Sequence, residues 1–247
     1  MAGMSLEVDE VYDAEFAREA RLRGFAGEVL LETAAGPIVA WERVGEGPRV
    51  YVSSGIHGDE PAGPLAMLEL MKGGDFVEGI HWMLVPKLNP AGLLARTREN
   101  SSGVDLNRDY LLRSTAEVAA HVRWLEKVPV PDLFLSLHED WETRGFYLYE
   151  INLGEDRPER TRSIIEAVGP WFEAERGPLI DDHEAREDGW IYHAAEADVP
   201  EGWPEAIYVA KRGCALSYTF ETPSSLALED RVASHVAGVR QAIGWVV

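Results

Sequence analysis

A chain of 247 residues with 46% hydrophobic side chains and eight tryptophans is long and apolar enough for one large domain with a substantial core. Its 43 acidic against 23 basic residues give a net charge of −20, which disfavours nucleic acid and anionic membranes as partners and favours solubility. The single cysteine, Cys214, excludes an intrachain disulfide and suits a reducing compartment.

Residues 1–10 are acidic and lack the apolar run of a signal peptide, and no window approaches membrane-spanning length, so the expectation is a single cytoplasmic domain over 1–247. Residues 13–23 read as a short amphipathic helix offering Phe16, Ala20 and Leu22 to a core. Two strand-like runs, 29–33 and 38–44, flank Ala34-Ala35-Gly36-Pro37, a hairpin signal. Residues 50–56 form a buried strand that ends in His57-Gly58-Asp59-Glu60-Pro61, and a helix over 62–71 stops at Gly73-Gly74. Residues 80–85 read as a strand feeding Asn89-Pro90. Ser114, with Glu117 three residues on, reads as the cap of a helix to about 127. Strands over 133–138, 145–151 and 215–221 and helices over 158–172 and 225–245 complete the pattern, while 173–213 reads as a long irregular loop over a site. Strands alternating with helices predict a mixed, mostly parallel sheet covered on both faces.

Polar residues terminate the buried strands: His57 with Glu60, then His138, then Glu221. Two histidines and a carboxylate form a recurrent catalytic zinc shell that leaves a fourth position open, although a strand-end histidine is also a common structural hydrogen bonder. Glu221 is the best candidate for a carboxylate that accepts a proton during attack by water. Asp59 reads as support for the His57–Glu60 turn. Residues 96–108 concentrate three arginines in a protein short of positive charge, and guanidinium groups suit carboxylate binding and oxyanion stabilisation. The remaining histidines, 81, 121, 183, 193 and 235, have no spacing partner and read as structural or surface residues.

His57-Gly58-Asp59-Glu60, Asn89-Pro90-x-Gly92, Arg98-x-Asn100, Gly103-Val104-Asp105-Leu106-Asn107-Arg108, Leu137-His138 and Phe220-Glu221-Thr222-Pro223 resemble, in order and context, the zinc metallocarboxypeptidase (M14-like) family. The resemblance spans roughly residues 50–223. It implies an α/β fold, a three-layer α/β/α sandwich around a mixed, mostly parallel sheet of about eight strands, with one zinc ion per chain. It implies His57, Glu60 and His138 as metal ligands and Glu221 as general base and acid. Arg98 would be the oxyanion arginine, and Asn107 and Arg108 would bind the substrate's terminal carboxylate. Tyr192 is the best match to the family's substrate-capping tyrosine, with Tyr208 as fallback. Tyr218 should face away from Glu221.

The short chain resembles the compact bacterial branch that includes cytoplasmic murein-peptide amidases. The expected substrate is a small peptide with a free carboxylate. A related branch, the succinylglutamate desuccinylase and aspartoacylase group, supplies an alternative, an N-acyl amino acid deacylase; a non-catalytic zinc-binding homologue is the third reading. Glu139-Asp140 after His138 departs from the family pattern, and either favours a basic substrate or orients the ligand.

Overall fold

The computed structural model describes residue 8 and residues 10–246, so most of the acidic amino-terminal stretch lies outside the described residues. The chain begins with α1 (Glu10–Leu22), a hairpin of β1 (Ala26–Thr33) and β2 (Gly36–Arg43), and β3 (Arg49–Ser54). Next come α2 (Ala62–Gly73), β4 (His81–Val85), α3 (Pro90–Ala95), a 3-10 turn at Leu106–Arg108 and α4 (Ala116–Leu125). Then follow β5 (Leu133–Asp140), β6 (Tyr147–Asn152), α5 (Pro158–Val168), and the short strands β7 (Leu179–Ile180), β8 (His183–Glu184) and β9 (Trp190–Tyr192). The last elements are α6 (Glu205–Lys211), β10 (Leu216–Pro223) and α7 (Leu228–Ile243).

Eight strands make one sheet in the order β1-β2-β4-β3-β5-β10-β6-β9, and β7 and β8 pair separately. The centre, β4-β3-β5-β10, is parallel, and β6-β9 is too, whereas β1-β2, β2-β4 and β10-β6 are antiparallel. This is the expected mixed sheet between two helical layers. One face buries Val52, Leu135, Leu137 and Phe220 against residues of α1, α2, α5 and α7 such as Phe16, Leu65, Ile164 and Val239. The other buries Tyr51 and Phe134 against α4 and α6 through Val118, Val122 and Val209. Each fully buried large apolar side chain contributes about 1.5–3 kcal/mol before the entropy of ordering is counted.

Three expectations change. In α1 the buried stripe is Tyr12, Phe16 and Ala20, spaced four apart on one face, while Leu22 is 73% exposed at the helix end. The cap of α4 is Thr115, not Ser114, with its hydroxyl accepting from Val118 N at 3.3 Å. Asp109 decides this: its carboxylate accepts from the backbone N and the hydroxyl of both Ser114 and Thr115, at 2.7–2.9 Å. Residues 173–213 are not a structureless loop, since they contain β7, β8, β9 and α6. Their strands are only two or three residues long and give no readable periodicity.

Helix α6 is anchored by a polar chain inside the second layer. Tyr110 donates its O–H to His121 Nδ1 (2.8 Å), His121 donates Nε2–H to Tyr51 (2.8 Å), and Tyr51 donates to Glu205 Oε1 (2.6 Å). Ser53 Oγ donates to Glu205 Oε2 at 2.8 Å. These directions require a neutral His121, and burial indeed lowers its pKa to about 3. Burial pushes Glu205 up to about 7, against the pull of its two hydroxyl donors. Between the ordinary carboxylate pKa of about 4.5 and about 7, the folded state therefore holds a proton that the unfolded chain has released. The contribution of Glu205 to stability is greatest below pH 4.5 and is lost as pH rises through 7. Glu205→Gln should flatten that dependence: the stability of the variant relative to the parent should rise by about 3 kcal/mol between pH 4.5 and 8 in denaturant titrations.

Candidate metal centre and active site

Strand register lines up the chemistry. On one face of the sheet, Ser53, Ser136, Thr219 and Tyr149 occupy one row across β3, β5, β10 and β6. The next row toward the carboxyl ends of the parallel strands holds His138, Glu221 and Tyr147. Side chains alternate along each strand with a period of two, so these rows share a face and Tyr218 takes the other. Tyr218 is buried there beside Thr161, as expected.

His57 reaches this face from a turn beyond β3. Gly55 adopts φ +63° to leave the strand, and its carbonyl accepts from Asn89 N at 2.8 Å. Asn89 caps α3 by accepting from Gly92 N at 2.9 Å, and its amide donates to Ile56 O (3.2 Å) and Arg98 O (3.3 Å). One asparagine thus joins the His57 turn to the arginine segment. Gly58 packs so closely on α3 that an added Cβ would lie 1.8 Å from the Gly92 carbonyl carbon, which excludes any side chain there.

Glu60 is buried between two imidazoles: Oε1 is 2.6 Å from His57 Nδ1, and Oε2 is 2.9 Å from His138 Nδ1. The two rings meet edge-on at 5.0 Å. Asp105 approaches the far nitrogen of His57, with Oδ1 3.2 Å from Nε2, and its own backbone position is fixed by accepting from Asn107 N at 2.8 Å. With Nε2–H donated to Asp105, a neutral His57 would direct the Nδ1 lone pair at a carboxylate, beside the Arg98 guanidinium at 3.3 Å. That pair of acceptors calls for a positive charge between them, which a metal ion or a proton on Nδ1 supplies. Although burial works against it, Glu60 and Asp105 draw the His57 pKa up to about 9. The same imidazoles hold Glu60 well below the usual carboxylate range despite its burial, while burial lowers His138. Two nitrogens and a carboxylate, all donor atoms within 4.8 Å of one another, fit a divalent ion such as zinc.

Glu221 stands beside His138 on the neighbouring strand. Desolvation and the charges of Glu60, Asp140 and Asp181 raise its pKa well above that of an ordinary carboxylate. Arg98 is clamped by Asp105, with Nε 3.0 Å from Oδ2, and its Nη1 is 3.7 Å from Glu60 Oε1. The carbonyl oxygen of the Asn107 side chain accepts from Glu205 N at 2.9 Å, which leaves its amide donor for a ligand. Arg108 is exposed, its guanidinium donating to Asn107 O at 2.8 Å.

His57, Glu60, Arg98, Asn107, Arg108, His138 and Glu221 all border one cavity of about 660 Å³. Tyr192 does not. It follows Ile191, which pairs with Tyr149 on the cavity face, so alternation turns Tyr192 to the opposite face, where it packs against Arg186 at 4.9 Å. Tyr208 is buried against Tyr110 and also lies off the cavity. The tyrosines that do border it are Tyr147, bonded to Asp140 at 3.0 Å, and Tyr149. The alternation of β6 relative to Glu221 was the available signal for both.

Asp105 was within the quoted Gly-Val-Asp-Leu-Asn-Arg run, yet spacing alone gave it no partner. Asp59 is exposed at the turn. Glu139 faces away from the tyrosines and is buried, accepting from Ala62 N (2.7 Å) at the start of α2 and pairing with Arg231. It therefore fastens β5 to α2 and α7, and of the two acids after His138 only Asp140 shares that residue's strand face. His183 and His193, read from sequence as lone, instead meet at Asp198 on the cavity border.

Residues 46–167 match the family model of the succinylglutamate desuccinylase/aspartoacylase catalytic domain. Carboxypeptidase SOL1 of Arabidopsis thaliana is 38% identical over 66 residues, which are 22% of this chain and span 13% of that protein's length. A metallopeptidase-like protein of Shewanella denitrificans superposes with a TM-score of 0.83 at 24% identity, covering 100% of this chain and 99% of that one. A metallo-carboxypeptidase of Pseudomonas aeruginosa, solved with (2-guanidinoethylmercapto)succinic acid, superposes with a TM-score of 0.66 at 19% identity, covering 96% of this chain and 69% of that one. Among the described residues no helix is long and apolar enough to cross a membrane. Motif order and these sequence likenesses support an M14-like metallocarboxypeptidase family, and the solved structures share the fold.

Proposed function

We propose that this protein is a zinc-dependent hydrolase of an amide bond adjacent to a free carboxylate, acting on a small peptide in the cytoplasm as a single catalytic domain. The observation that carries the reading is that a His-Glu-His donor cluster, a raised-pKa carboxylate, an arginine held by Asp105 and an exposed arginine border the same cavity. Arg108 and the Asn107 amide bind the substrate carboxylate, a recognition to which planar guanidinium donors are suited. Arg98, held by Asp105, directs its guanidinium at the developing oxyanion. Glu221 takes the proton from the attacking water and returns it to the leaving amine, a task that matches a carboxyl poised well above its ordinary pKa. A zinc ion held by His57, Glu60 and His138 supplies Lewis acidity to the carbonyl and to water. Tyr147 and Tyr149 replace Tyr192 as the hydroxyls offered to substrate.

A muropeptide with a γ-D-glutamyl bond to diaminopimelate is one substrate of this class, following the resemblance to murein-peptide amidases. The second reading, removal of an acyl group from an N-acyl amino acid, is favoured by the family model matching residues 46–167. Both readings require the same carboxylate anchor, and the succinic acid derivative bound by the Pseudomonas enzyme is consistent with it. Parallel turnover assays on short peptides, muropeptides and N-acyl amino acids separate them. No turnover of any of the three by zinc-loaded protein would leave only the non-catalytic reading.

Two variants test the assignment of roles. Glu221→Gln should retain about one zinc per chain at this centre while kcat falls on the order of 10³-fold. Chelation should abolish activity in the parent and zinc should restore it; persistence of turnover in Glu221→Gln would remove that residue from the proton transfers. Arg108→Ala should lose about 10–100-fold in kcat/KM, mostly through KM, as expected for a charged hydrogen bond to a substrate group that does not react. A loss confined to kcat would instead assign Arg108 to the transition state.

A further inference from the structure

The segment between β7 and α6 gathers a second set of donors at the edge of the same cavity. β7 and β8 are joined by Asp181 and Asp182, both with positive φ (46° and 61°), the conformation of a tight two-residue hairpin. The first residue after this turn is His183. His193 comes directly after β9, where its backbone N continues the β6 pairing by donating to Glu150 O at 2.8 Å. Strand alternation places it on the face of Ile191 and Tyr149, toward the cavity. The Tyr149 ring lies edge-on to both imidazoles, at 5.3 and 5.8 Å.

Hydrogen bonding fixes what the two rings can present. Nδ1 of His183 is 2.5 Å from Asp181 O, and Nδ1 of His193 is 2.6 Å from Ala194 O. A carbonyl only accepts, so both rings carry Nδ1–H, and the neutral tautomer of each leaves a lone pair on Nε2. Both Nε2 atoms point at one atom, Asp198 Oδ1, each at 3.3 Å. Three acceptors thus converge with nothing of positive charge among them. Two additional protons would satisfy the carboxylate but would set two imidazolium rings 5.0 Å apart, edge to face. One divalent ion satisfies all three at once. A tetrahedral ion with ligands at about 2.0–2.1 Å spaces adjacent donors about 3.3 Å apart, which is the spacing observed between each histidine and Asp198.

We propose that His183, His193 and Asp198 form a second metal site, distinct from the His57–Glu60–His138 centre, that takes a divalent transition ion, with zinc first among them. Imidazole and carboxylate donors suit zinc and its neighbours in the series better than calcium or magnesium. The ion joins the β7–β8 hairpin to the stretch after β9, and so fastens the part of the chain that walls the cavity beside β6. Three protein donors leave a coordination position for water or for a polar group of the substrate.

Metal content of the full-length protein, measured after saturation with zinc and desalting, tests the site. The expected result is two ions per chain, with one remaining in His138→Ala, one in His193→Ala, and none in the double variant. Asp198 is 65% exposed, so Asp198→Asn removes a donor without disturbing the core, and it should weaken the second site at least about tenfold in zinc titrations. In His138→Ala, zinc should slow proteolytic cleavage within residues 181–203, and the added substitution Asp198→Asn should abolish that protection. One ion per chain that is lost in His138→Ala but retained in His193→Ala and Asp198→Asn would overturn this site and leave the catalytic proposal standing. One ion lost only in the latter two variants would do the reverse.

Discussion

Glu60 occupies a position that most proteins avoid, a buried carboxylate with two imidazoles as its nearest polar neighbours. An isolated buried charge would cost several kcal/mol, so the arrangement holds only because every adjoining element supplies compensation. His57 arrives from the turn after β3, and His138 from the end of β5. Arg98 approaches from the segment that follows α3, and Asp105 secures both the arginine and the histidine. Three separate stretches of chain therefore converge on one carboxylate. The exclusion of a side chain at Gly58 and the three-way bonding of Asn89 are what bring the first and third of these stretches together.

The strand register explains why the opposite half of the site needs so little additional machinery. Parallel pairing of β3, β5 and β10 sets the last polar residue of each strand near the same edge, and the pleat turns Ser53, Ser136, Thr219, His138 and Glu221 toward one layer. The other face of the same strands is apolar, with Val52, Leu135, Leu137 and Phe220 packed on helices. Hydroxyls at Ser53 and Tyr51 would be orphaned beneath the site if nothing met them, and Glu205 at the start of α6 satisfies both. Its backbone N also holds the Asn107 side chain. A helix whose sequence offers no long amphipathic pattern is thus placed by a polar contact, and in turn it orients Asn107 at the cavity border.

That distinction between apolar and polar placement accounts for what could be read from the residues alone. The sheet, the outer helices and the strand-end residues His57, Glu60, His138 and Glu221 follow from hydrophobic runs, turn glycines and period-two alternation, all of which are local. Asp105 had a legible neighbourhood but no legible partner, because its contact with His57 spans 48 residues. The cap of α4 shifted from Ser114 to Thr115 through Asp109, which bonds both residues and has no helical periodicity to announce it. Tyr192 was misplaced for a different reason. A local match to the family's capping tyrosine selected it, whereas the two-residue pleat of β9 decides its direction.

Charge connects these pieces to substrate choice. A protein with a net charge of −20 repels carboxylates at long range, so a substrate that carries one must be captured by a local excess of positive charge. Arg98 is partly neutralised by Asp105 and Glu60, which fits a group reserved for charge that develops during reaction. Arg108 bonds only a main-chain carbonyl among the contacts above, and its exposure leaves it accessible to an incoming anion. Asp140, Asp181, Asp182 and Asp198 border the same cavity. The cavity thereby offers guanidinium donors to a carboxylate and carboxylates to a cationic or metal-bridged group. A zwitterionic or amine-bearing substrate would meet partners for both of its charges on the walls of this cavity.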